Sequence, residues 1–284
     1  MKKYYYIFII PILFIIFLSN SKKLKKFTSN FYNSYFGRTS KYYLRLYNNK
    51  KVSFDDIDYN SNNSLIFITY GQSNSANSGE NNNLYSSKYN VYMTYKGDIY
   101  NYKDPSIGAQ GFGSSTWGLL GEKLIKRSNG RIKNVFFTNT GVGGQNIESL
   151  ISDEKEYLNY FLKEVRTTID KFGKIDAVLF HHGESNNNNT DLYYDSFSTL
   201  IDSINNITNI PIYLSQASYC ENIFSEKLIA IQNKLIIDKQ LVLRGPNTDS
   251  LRDGYRYDDC HFNSRGLSKL SELWHQSITL NSEQ

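Results

Sequence analysis

Gly71-Gln72-Ser73-Asn74 places a serine between two side-chain amides, just after the apolar run Leu65-Ile66-Phe67-Ile68. A serine hydroxyl becomes nucleophilic only when a neighbouring base takes its proton, and that base is most often a histidine oriented by a carboxylate. The chain has four histidines, His181, His182, His261 and His275, and His261 has Asp258 three residues before it. Acyl transfer also needs preorganised donors for an oxyanion. The Ser73 backbone N–H, at the start of a predicted helix, is one candidate. Gly143 and Gly144, in Gly141-Val142-Gly143-Gly144, are others, because glycine permits close backbone approach. A third donor is expected from a side chain of the loop carrying His181-His182-Gly183-Glu184. Gln72 and Asn186 complete the set of polar groups assigned to oxyanion or substrate binding. Plainer roles exist for two of these residues: Ser73 as a helix N-cap and Glu184 as a helix-start carboxylate.

The surrounding pattern says what must hold these residues. Leu65–Tyr70, Val135–Thr138, Ile175–Phe180, Ile210–Leu214 and Leu241–Leu243 read as buried strands. Between them, 154–172, 192–204 and 223–237 have helical spacing, and 267–278 reads as a closing helix. Alternation of this kind predicts an α/β fold, a three-layer α/β/α sandwich with a mostly parallel central sheet. In such sheets the site lies at the carboxyl ends of the strands. Ser73, the Gly141–Gly144 stretch and His181–Glu184 each follow a predicted strand. Trp117 is expected either to line a sugar-binding cleft or to belong to the core.

These blocks resemble those of SGNH (GDSL-like) hydrolases, in the branch of sialate O-acetylesterases and family-six acetylxylan esterases. Gly71-Gln72-Ser73-Asn74 matches the branch's G-Q-S-N block. Asn139 to Gly144 resembles its glycine-containing block, His181 to Ser185 its W-x-Q-G-E-S block, and Asp258 to Phe262 its D-x-x-H-F ending. The resemblance covers about residue 64 to the C-terminus. It implies a flavodoxin-like fold and a serine esterase that removes O-acetyl groups from a glycan without a metal or organic cofactor. Ser73 would be the nucleophile and His261 the base. Asp258 and Glu184 are rival candidates for the acid. The alternatives are an O-acetyltransferase with the same triad and an inactive glycan-binding protein. One departure concerns chemistry: the family's glutamine before Gly183 is replaced by His182, so by the resemblance His182 would supply the oxyanion or substrate donor through a ring N–H, or that donor is lost.

Composition bounds the rest. With 284 residues, 21% charged and 40% hydrophobic, the chain is long enough for a substantial core. A net charge of +5 without a basic stripe argues against nucleic acid as a partner. Neither Cys220 nor Cys260 lies in a C-x-x-C pair, which disfavours a metal site; in an exported protein the two could pair. Residues 1–21, apolar from Tyr4 to Leu18, predict either a cleaved signal peptide or a retained membrane anchor. The protein is accordingly expected to be exported, anchored at the extracytoplasmic face or secreted. Residues 22–63 read as a polar linker, and 64–284 as the esterase domain.

Overall fold

The computed structural model describes residues 50–82 and 84–282, with side chains to 279. The segment expected to be a signal or anchor, and most of the expected linker, lie outside these residues. Eight strands form one sheet: β1 (Lys51–Val52), β2 (Ser64–Gly71), β3 (Val91–Tyr95), β4 (Asp98–Asn101), β5 (Asn134–Asn139), β6 (Ala177–His181), β7 (Ile212–Gln216) and β8 (Val242–Asn247). Their order is β1-β4-β3-β5-β2-β6-β7-β8. The pairs from β3/β5 through β7/β8 are parallel, and β3/β4 and β4/β1 are antiparallel. The expected mostly parallel sheet is therefore present, with an antiparallel margin that the alternation pattern did not announce.

Side-chain alternation on the central strands explains the two helical layers. Ile68 and Tyr70 of β2, Val178 and Phe180 of β6, and Ile212 and Leu214 of β7 point to one face. There they meet α2 (Ile147–Ile151), α3 (Tyr157–Phe172), α4 (Tyr193–Asn205) and α5 (Glu226–Asp238). On the opposite face Phe67 stacks on Phe137, and Phe137 packs against Trp117 of α1 (Trp117–Arg127). Trp117 in turn meets Trp274 of α6 (Ser264–Ser282) at 5.5 Å. Trp117 is fully buried and donates its indole N–H to the Ser75 carbonyl. It is core beneath the serine loop and not a cleft wall.

Two boundaries differ from the sequence reading. Residues 51–63, assigned to the linker, belong to the fold: Lys51–Val52 pairs with β4, and Phe54 and Tyr59 pack on Phe172 and Phe136. No helix follows Ser73. The Ser75 and Ala76 N–H groups donate to the Gln72 carbonyl, closing a single turn, and Asn77 then pairs with the 110–111 segment. That pairing draws the backbone away from a helical path.

Candidate active site

The candidate residues gather at the carboxyl edge of the parallel strands. Gly71 ends β2 opposite His181, which ends β6, and the Gln72 N–H donates to the His181 carbonyl. Gly71 has φ +129°, and a Cβ there would stand 2.1 Å from the His181 carbonyl oxygen. Only glycine allows the strand to turn this sharply while still paired. Gly183 has a parallel role at the end of β6, with φ +151° and the Ala217 carbonyl oxygen 1.8 Å from a would-be Cβ.

Ser73 is 7% exposed. Neither its N–H nor its Oγ has a partner among the described residues. Gly143 faces it closely, since a Cβ at Gly143 would lie 3.9 Å from Ser73 Cβ. The Gly143 N–H donates to Gln110 Oε1 at 3.1 Å. Gly144 has φ +68° and is exposed, and its N–H is unpartnered among the described residues.

Asp258 and His261 form the expected pair. His261 Nδ1 lies 2.8 Å from Asp258 Oδ2, and the His261 backbone N–H donates to Asp258 Oδ1 at 2.7 Å. Partial burial pushes the Asp258 carboxyl up, but the hydrogen bonds from the His261 ring and backbone outweigh it and hold the group below the ordinary aspartate range. A carboxylate on Nδ1 places the proton there and leaves Nε2 as the basic nitrogen. The ring of Tyr257, half exposed, stacks beside that of His261 at 6.1 Å, and its hydroxyl donates to the Ser78 carbonyl.

The histidine turn is strapped to the serine loop. Asn74 Nδ2 donates to the Cys260 carbonyl at 3.1 Å and to Glu184 Oε1 at 2.8 Å. Arg256 donates to the carbonyls of Cys260, Thr248 and Leu251, and Cys260 is disulfide-bonded to Cys220. The two cysteines that the sequence left open therefore pair. No hydrogen bond joins Ser73 Oγ to His261 Nε2; the neighbours of the two residues are bonded instead.

No hydrogen bond or ion pair joins Glu184 to His261. Glu184 is 3% exposed and bonded to Asn74 and to His181 Nε2. Burial opposes its charge, but His181, Arg256 and the Asn74 amide hold its carboxyl down at about 2. Three further assignments shift. Gln72 is 1% exposed, and its side-chain oxygen accepts from the Gly183 and Ser185 N–H groups. Asn186 is 1% exposed and bonded at both ends of its amide, to the Ile147 N–H, to Glu148 and to the Asn189 carbonyl. His182 is fully buried, and burial lowers its pKa to about 4, so the ring is neutral with one N–H. Nε2 lies 3.0 Å from the Gln145 carbonyl, which can only accept, so the single N–H is already used. His182 is thus no donor to a substrate oxygen. Among the described residues no group of three His, Cys, Asp or Glu side chains could hold a metal.

No curated protein matches the sequence. Two solved structures share the fold. A protein from Arabidopsis thaliana is 15% identical with a TM-score of 0.59, covering 77% of this chain and 98% of its own. NanS is 13% identical with a TM-score of 0.56, covering 80% of this chain and 100% of its own. At the level of sequence, residues 63–279 match the profile of carbohydrate esterases described as sialic acid-specific acetylesterases, and the chain belongs to that family of ester hydrolases.

Proposed function

We propose that the protein removes O-acetyl groups from a sialic acid or related glycan sugar through an acetyl-Ser73 intermediate. The observation that carries this reading is the Asp258–His261 pair held against the serine loop by the Asn74–Cys260 bond. Ser73 Oγ attacks the acyl carbonyl while His261 Nε2 takes its proton. Asp258 fixes the ring and stabilises the imidazolium that forms. The oxyanion meets the free N–H groups of Ser73 and Gly144. Collapse expels the sugar oxygen, which receives the proton from His261, and water then releases acetate by the same base. The open Ser73–His261 geometry fits an unliganded serine enzyme, in which this hydrogen bond tightens when substrate binds. The exposed face of Tyr257 beside His261 offers an apolar wall for a sugar ring. The substrate class is supported by the family, and the acetyl group by the same family description.

We also propose that the protein works outside the cytoplasm, anchored by its N-terminal segment or released from it. The Cys220–Cys260 disulfide supports this, because such bonds persist in oxidising compartments.

The test is a product assay with the full-length protein on O-acetylated sialic acid, and on O-acetylated xylo-oligosaccharide with a free acceptor sugar present. Acetate release from the sialic acid supports the proposal. Acetyl transfer to the acceptor without acetate would make the protein a transferase, and binding without either product would make it a glycan-binding protein.

A further inference from the structure

The esterase reading leaves one donor unaccounted for. The position before Gly183 carries His182, whose only N–H is held by the Gln145 carbonyl inside the core. Gln72 and Asn186 are buried with their carbonyl oxygens committed to backbone N–H groups. One carboxamide near the serine is different. Gln110 is only partly buried, and its Oε1 takes the Gly143 N–H at 3.1 Å. Its Oε1 and Ser73 Cβ each lie 3.9 Å from the point where a Cβ on Gly143 would stand. Gln110 and Ser73 therefore flank the same glycine.

Its backbone is fixed as well. The Gln110 N–H donates to the Gly141 carbonyl at 2.9 Å, and its carbonyl accepts from the Asn77 N–H at 2.8 Å. Gln110 is thus clamped between the serine loop and the glycine loop. Because Gly143 N–H can only donate, it identifies the amide oxygen and leaves Nε2 at the other end of the plane. That NH2 has no partner among the described residues.

We propose that Gln110 is a catalytic residue whose Nε2 donates to the substrate's acyl oxygen as negative charge develops there, in place of the missing glutamine. The Gly143 N–H then serves as the anchor that aims this amide, and the oxyanion is held by Ser73 N–H, Gly144 N–H and Gln110 Nε2. The proposal rests on the esterase reading and names a residue that the sequence motifs do not contain.

Two variants test it in the full-length protein. Gln110→Met removes the NH2 donor without adding a charge, and Gln110→Ala removes the whole side chain. Loss of one oxyanion donor is expected to lower kcat by about 10² to 10³ with KM changed by less than roughly threefold. Both variants should show this loss while melting with the wild type. If Gln110 only steadied Gly143, both variants would melt below the wild type and lose kcat together with a raised KM, and this result would overturn the proposal. Wild-type kcat in both would overturn it equally. An inactive wild type would instead remove the esterase reading on which it stands, so the two failures are separable.

Discussion

Asp258 Oδ2 lies 2.8 Å from His261 Nδ1, whereas Glu184, the rival acid, is bonded to His181 and Asn74. The two carboxylates therefore have different work, and the variants should separate them. Asp258→Asn is expected to lower kcat by about 10² to 10⁴, since the ring loses its orienting acceptor and favoured tautomer. Glu184→Gln should lower kcat by less than about tenfold. It should instead destabilise the fold by about 1 to 3 kcal/mol, because it weakens a buried charged hydrogen-bond network. Steady-state kinetics and urea unfolding check both, and the reverse order of kcat losses would reassign the acid.

The disulfide ties the loop after β7 to the turn that carries His261. Cys220 and Cys260 are 40 residues apart, and closing a loop of that size stabilises a fold by about 4 kcal/mol in the chain-entropy account. Replacing both with serine should lower the urea midpoint accordingly. It should also lower kcat, since the Cys260 N–H and carbonyl bond to Asp258 and Asn74 on either side of the site. A wild-type midpoint in the double variant would contradict the first expectation, and an unchanged kcat the second.

Asp104 should make stability fall with rising pH. Burial pushes its carboxyl up to about 7, against the pull of hydrogen bonds from Ser115 and Tyr102, and its Oδ2 has no partner. An acid whose folded pKa lies above its unfolded value binds its proton more tightly when folded. Its contribution is complete below about pH 4 and is lost as pH rises to about 7. The loss should be on the order of 4 kcal/mol. Asp104→Asn should flatten this part of the stability profile, measured by thermal unfolding from acid to neutral pH. An equal slope in wild type and variant would show that the group titrates normally.

Much of the frame was legible because it is local. The central strands are unbroken apolar runs, and α3, α4 and α5 keep a 3.6-residue stripe, so β2 and β5 to β8 could be placed by pattern. The β3–β4 hairpin also carried a signal: Lys96-Gly97 joins two β-rich runs, and both residues have positive φ. The helix α1 carried one too, with Trp117, Leu120, Gly121 and Leu124 buried at helical spacing, but its glycines and the Gly/Ser run before it masked the stripe. Within the site, Asp258 and His261 were readable because three residues span one turn. Gln110 was not, since it meets Gly143 33 residues away and only after both loops are folded. The loss of His182 as a donor likewise depends on Gln145, 37 residues back. The Asn74–Cys260 strap crosses 186 residues and has no local trace.

The most direct test of the account is whether Ser73 becomes acylated or phosphonylated when the enzyme works. Full-length protein treated with an organophosphonate ester should lose esterase activity in step with incorporation of one label, and peptide mass mapping should place it on Ser73. Ser73→Ala should take up no label and retain less than about 10⁻⁴ of wild-type kcat. Label on another residue with activity lost, or wild-type turnover by pure Ser73→Ala, would contradict the assignment of Ser73 as the nucleophile.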